Sequence, residues 1–239
     1  LISLSGGTRE TAIASKSKAI LSIPTSEKDM TLNMVSSLAE DFRKEYASTE
    51  PTLSLCAETL PDSEVFALTI PYTQKVTQLL MALPNGVQAM SMDMPDLVQT
   101  SVNFGIMELR DDELYLSHSV RSSMTTQKIW VLERIKAAVN LAGGDTHVSG
   151  NYPGWAYNPN SVVKDTILHA YRRLFGTDAK VDAVHAGIEC GLFADSIVDL
   201  DCVSIGPDME NVHTPRERLS ISSVERTYRL LKEVLKDSK

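Results

Sequence analysis

The sequence predicts an α/β protein in two parts: an antiparallel sheet with helices on one face, then a parallel or mixed α/β layer. Three observations carry this expectation. Residues 102–120 alternate apolar and polar side chains with period two. Runs with 3.6-residue apolar periodicity recur between the strand-like segments. From Ser161 onward, helix-like and strand-like runs alternate, the order that favours βαβ units and a parallel sheet.

The elements follow in order. "LISLSGG" and residues 19–23 read as strands, the second stopped by Pro24. Val35, Leu38, Ala39, Phe42 and Tyr46 share one face of an amphipathic helix. "TLSLCA" and "EVFALTI" read as two further strands, and Pro71 opens a helix whose Val76, Leu79, Leu80 and Leu83 face one way until "PNG" ends it. Val102, Phe104 and Ile106 then alternate with polar or small neighbours, "RDDE" makes a turn, and Leu114, Leu116, His118 and Val120 form the apolar face of the returning strand. On this reading His118 is a packed histidine. Arg121 falls on the polar face beside hydroxyl side chains, available to a ligand, although an isolated exposed arginine on a strand is more often an ordinary solvated charge.

A helix over 125–141 places Ile129, Leu132, Ile135, Ala138 and Val139 on one stripe and ends at Gly143 and Gly144. "GNYPGWAYNPNS" has the Gly, Pro and Asn content of a junction, so a boundary is drawn near residue 151. Beyond it come a helix over 162–175, a strand over 181–184, a helix over 189–197, a strand over 202–205 and a last helix. Thr214, Pro215, Arg216 and Glu217 match a capping box with proline at the first helical position, and Leu219, Ile221, Val224, Tyr228, Leu231 and Leu235 are the stripe expected to be buried.

Composition narrows the function. A chain of 239 residues, 43% apolar, can bury a substantial core, and a net charge of −8 without basic clusters argues against nucleic acid. No window approaches the roughly 20 apolar residues of a membrane span, and the start lacks a signal-peptide pattern, which points to the cytoplasm. Cys56, Cys190 and Cys202 are odd in number and lack CxxC spacing, so free thiols are expected. The opening without methionine implies a truncated or cleaved chain.

Two loops at the carboxyl ends of predicted parallel strands are where ligands bind in such sheets. One holds His213, just ahead of the expected helix start; placement alone leaves it balanced between a functional role and an ordinary loop histidine. The other is "VHAGIECG", whose glycines permit close backbone approach and whose Glu189 falls near a helix N-terminus; spacing alone favours a tight strand-to-helix turn.

"YPGW", "VHAGIECG" and "GPDMENVHTPRERLS", with "LPNGV" and "VRSS", in this order, resemble the C-terminal half of an aminoacyl-histidine dipeptidase, the bacterial Xaa-His branch of the zinc aminopeptidase, carnosinase and glutamate carboxypeptidase superfamily. The resemblance covers nearly the whole chain. It implies a two-domain enzyme with two zinc ions: residues 1–151 would be most of a lid that closes over substrate and dimerises, and 152–239 the last part of the catalytic domain. It makes His213 a zinc ligand, Arg121 the group that binds the substrate carboxylate, and Gly187 a backbone contact to substrate. An imidazole suits zinc, and a guanidinium forks onto a carboxylate.

One departure stands out. Where the family has an "RNAIPR"-like stretch, this chain has "TRETAIAS", placing Thr11 at the substrate-contacting asparagine and Ala14 at the proline. The sequence also has no HxD, Glu-Glu pair or HExxH, so the bridging carboxylate and catalytic glutamate of a two-zinc hydrolase are missing and the chain alone is expected to be inactive. The leading reading is part of a zinc-dependent dipeptidase cleaving Xaa-His dipeptides such as beta-alanyl-histidine. A second is a homologue that binds peptides or assembles without hydrolysis. A third leaves Arg121 and His213 as surface residues of an interaction domain.

Overall fold

The computed structural model describes residues 1–61, 64–110, 113–183, 188–212 and 214–237. In chain order the elements are β1 (Ser3–Gly6), β2 (Ser17–Ile20), α1 (Lys28–Glu45), α2 (Ile70–Ala82), β3 (Gly86–Met90), β4 (Val98–Arg110), β5 (Glu113–Ser122), α3 (Thr125–Leu141), α4 (Val162–Phe175), α5 (Glu189–Ser196), β6 (Met209–Glu210), β7 (Arg218–Leu219) and α6 (Ile221–Asp237). The class is mixed α/β with antiparallel strand pairing. The chain divides into two compact units, Leu1–Ala82 with Phe104–His118, and Leu83–Asn103 with Ser119–Lys239.

In the first unit β1 pairs antiparallel with β2, from Ser3 opposite Ile20 to Gly6 opposite Ser17, and with the distal part of β4 through Ser5 and Glu108. Gly7 leaves β1 at φ 67°, and a Cβ there would lie 1.9 Å from the Gly105 carbonyl oxygen. Gly105 itself lies under the backbone of Arg9 and Glu10, so neither position tolerates a side chain. α1 forms where expected, with Val35, Ala39 and Phe42 half-buried, while Leu38 and Tyr46 remain largely open. His118 is the packed residue its face predicted: its ring stacks on Phe104 at 4.3 Å between centroids, and its Nε2 is buried without a hydrogen-bond partner among the described residues.

Two expected strands do not form. "TLSLCA" and the described part of the 64–70 run are irregular up to the start of α2, and Phe66 is fully exposed. Alternation states which side chains a strand would present, but a strand exists only when a neighbour completes its ladder. Here the backbone bonds are local or isolated: the Leu53 N–H donates to Glu50 O at 3.0 Å and the Leu68 N–H to Leu1 O at 2.8 Å.

In the second unit, β3 was not anticipated. Gly86 at φ 78° turns the chain out of "LPN" directly into this strand, which pairs antiparallel with the first part of β4. β5 pairs with β4, as the alternation predicted. α3 has the predicted bounds but a rotated face. Val131, Ile135 and Lys128 are buried, and Ile129 is 52% exposed. Apolar residues lie on more than one side of this helix, so composition left its phase open.

α4 matches its expected range and is well capped. Ser161 Oγ accepts from the Lys164 N–H at 3.0 Å, Asp201 Oδ2 accepts from the Val163 N–H at 3.0 Å, and Gly176 closes the helix in the left-handed region. Arg173 joins it to α6 through Glu233 and Asp237. The expected parallel strands at 181–184 and 202–205 are not formed among the described residues: 181–183 and 202–205 pair with nothing in a ladder. The expected capping box is also replaced. Thr214 Oγ1 donates to Asn211 O at 2.7 Å and accepts from the Arg216 N–H, which makes a turn, and β6 pairs antiparallel with β7 across it. A hydroxyl that can cap a helix can equally close a turn. α6 therefore starts later, and of its surroundings only Ser223 and Leu230 are buried.

Candidate functional site

Three segments that the sequence singles out converge in the second unit. The first is the end of β5. Arg121 is exposed, and the next residue, Ser122, is buried with its Oγ 2.8 Å from Thr100 Oγ1. Thr100, 1% exposed, also donates to Gln127 Oε1, and Ser122 Oγ accepts from the Met124 N–H at 3.0 Å. This closed hydroxyl network fixes the backbone that carries Arg121. Among the described residues Arg121 has no ion-pair partner. Its charge stays available to an anion.

The second segment is "YPGW". A Cβ on Gly154 would meet the Ser123 carbonyl oxygen at 2.5 Å and the Ser122 oxygen at 3.0 Å, so the absence of a side chain lets this loop lie directly on the turn after Arg121. Lys128 secures it from α3. Only 8% exposed, its ammonium donates to Asn151 Oδ1 at 2.9 Å and to the Tyr152 carbonyl. A buried ammonium needs such acceptors, and here they come from the junction itself.

The third segment is the start of α5. Glu189 opens the helix, as expected, and is exposed. Gly191, buried, sits close to Pro153 O and the Trp155 Cβ, at 3.1 and 3.5 Å from where its own Cβ would be. Burial, with the Glu189 carboxylate and then Cys190 nearby, pushes the Tyr152 phenol above its usual range. Burial and the neighbouring Cys190 likewise raise the Cys202 thiol, against a hydrogen bond from Trp155 that works the other way. "YPGW" is thus clasped between the Arg121 turn on one side and the α5 N-terminus on the other.

The comparisons with known proteins extend over nearly the whole chain. Over 237 residues, 99% of the chain, it is 32% identical to the cytosol non-specific dipeptidase of Escherichia coli strain K12. It superposes with TM-score 0.90 and 27% identity, over 99% of its length, on the crystal structure of aminoacylhistidine dipeptidase from Vibrio alginolyticus. The chain is homologous to these dipeptidases. It spans about half of each, 49% of the first and 48% of the second. The aminopeptidase PepT from Bacillus cereus shares the fold at TM-score 0.52 and 17% identity, over 68% of this chain and 44% of its own. A search against protein-family models finds no match.

Against this dipeptidase background the predicted site residues separate. Arg121 lies at the clasp. Thr11 is exposed in the first unit, in the loop after Gly7, but does not line the cavity of about 360 Å³ that this loop encloses from Ser5 to Thr8 and from Ala12 to Lys18. His213 and Gly187 lie outside the described residues. Among the described residues no three His, Cys, Asp or Glu side chains gather to hold a metal ion. Sequence reading missed Lys128 and the Thr100–Ser122 network. A lysine within the apolar register of α3, ahead of a junction, is the signal that would have found the first; nothing local marks the second.

Proposed function

We propose that this chain is part of a dipeptidase that hydrolyses Xaa-His dipeptides such as beta-alanyl-histidine. The observation that carries this reading is the superposition over 99% of the chain on aminoacylhistidine dipeptidase. Residues 1–151 act as a lid that dimerises and closes over substrate, and 152–239 complete a catalytic domain. Arg121 anchors the substrate carboxylate with a two-pronged hydrogen bond, its backbone held by the buried network at Thr100 and Ser122. Gly187 and Thr11 orient the peptide. The relative's printed description as cytosolic, and the absence of any described helix able to cross a membrane, support a cytoplasmic location.

Zinc is the metal of this reading, with His213 as one ligand. On this reading the other ligands and the glutamate that handles the proton belong to polypeptide outside this chain, whose sequence has no HxD, Glu-Glu pair or HExxH. The 239-residue chain alone is inactive on this account. The test is zinc content and Xaa-His hydrolysis by the full-length gene product, beside Arg121→Ala and His213→Ala. Arg121→Ala raises KM at least tenfold, and His213→Ala loses both metal and turnover. A zinc-loaded product that cleaves no dipeptide would leave the second reading, a peptide-binding homologue, which threonine at position 11 in place of the family's asparagine favours.

A further inference from the structure

The three cysteines carry no CxxC spacing, yet the fold brings two of them together. Cys190 lies in the first turn of α5, and Cys202 follows in the irregular segment beyond that helix. The chain turns back between them: Asp199 sits in the left-handed region at φ 58°, and the Leu200 N–H donates to Ile197 O at 3.4 Å. The return is close enough that Cys202 Sγ donates to the Cys190 carbonyl oxygen at 3.9 Å, and the two thiols hydrogen-bond each other. Both are free and half-buried, whereas Cys56, in the first unit, is exposed.

Two thiols in contact behave differently from two separate ones. Once one sulfur has been oxidised, the other is already placed to close a bridge, and closure becomes a step within one molecule.

We propose that Cys190 and Cys202 are a redox site that low-molecular-weight disulfides close into an intramolecular disulfide. The Cys190 sulfur, its proton passed to water, attacks one sulfur of the reagent R–S–S–R. A protein–reagent disulfide forms, and the first RS⁻ leaves and takes up a proton. Cys202 then gives its proton to water, attacks the Cys190 sulfur and expels the second RS⁻. The protein loses two electrons and two protons, and one R–S–S–R becomes two RSH. Cys190 leads because burial, and then the neighbouring Cys190, hold the Cys202 thiol above its usual range, which suits Cys202 to the intramolecular step. The bridge ties the first turn of α5 to the segment after Asp201, beside the "YPGW" loop on which Gly191 packs. No metal and no hydrolysis enters, so the site stands or falls apart from the dipeptidase reading.

The experiment exposes the reduced full-length gene product to oxidised glutathione and maps its thiols by mass spectrometry. Asp195, Asp199 and Asp201 lie between the two cysteines, with no lysine or arginine. Trypsin therefore keeps both thiols in one peptide, and cleavage at aspartate separates them unless a disulfide joins them. The expected result is a linked 190–202 pair, with both thiols lost to alkylation together and restored by dithiothreitol. Cys202→Ser stops at a glutathione adduct on Cys190, and Cys190→Ser takes up glutathione at Cys202 at least tenfold more slowly. The wild-type map needs no variant to fold. The proposal fails if Cys190 and Cys202 stay open to alkylation, if either links to Cys56 or to another molecule instead, or if Cys202→Ser leaves Cys190 without an adduct.

Discussion

The β4–β5 pair and the two segments 181–184 and 202–205 were all expected to be sheet, and among the described residues only the first is. The difference lies in where each finds its partner. β5 follows β4 closely in the chain and pairs with it, so each strand supplies the other's hydrogen bonds from a neighbour close in sequence. The later segments, "VDAV" and "CVSI", are of strand length, but the helices between and after them mark them for a parallel sheet, where partners come from far along a chain. Local pattern therefore suffices for an antiparallel pair and falls short for a parallel one.

The sharpest way to break the self-sufficient region is to fill the space that β4 leaves for the loop above it. Gly105→Val would push a side chain into Arg9 O and Glu10 Cα, at 2.4 and 2.5 Å from the Cβ position. Neither atom can yield cheaply, so a loss of about 3 kcal/mol or more is expected in urea unfolding. In the other region, Lys128→Met removes a buried donor from Asn151 and the Tyr152 carbonyl. That costs about 2 kcal/mol, with the loop at 151–155 exchanging amides faster.

A pH titration separates the regions next. Burial lowers the His118 pKa from 6.5 to about 4. The folded state resists the proton that the unfolded chain accepts, so stability is complete above pH 6.5 and falls as pH drops through the window toward 4. The loss is on the order of 2 kcal/mol once partial exposure is allowed for. His118→Phe, keeping the stack on Phe104, flattens that slope; an unchanged slope would remove His118 from the account. The smallest effect belongs to a strand that never formed. Phe66→Ser, at a fully exposed position, changes stability by no more than about 0.5 kcal/mol, where burial in a sheet would have made it several times larger.

What was legible follows the same division. The bounds of α3 and α4 could be read because caps and breakers such as Ser161, Gly143 and Gly176 act within a few residues. The stacked His118 and the exposed Arg121 followed from alternation. The phase of α3 did not, since Ile129 and Val131 are equally apolar and only tertiary packing chooses between them. "TPRE" misled because Thr214 meets its hydrogen-bonding needs as well in a turn as at a helix start. The clasp around "YPGW" needed the fold, because Gly154 and Gly191 reveal their purpose only when the backbones they admit are in place.

That clasp gives the molecule an optical handle. The chain has two tryptophans: Trp130 is 61% exposed on α3, and Trp155 is half-buried against Gly191 and hydrogen-bonded to Cys202. With Trp130 replaced by phenylalanine, indole emission would come from the junction alone, its wavelength set by how dry that ring is and its intensity quenched by the adjacent sulfur. Opening of the loop would then be visible as a red shift and a brightening, in real time and without a label.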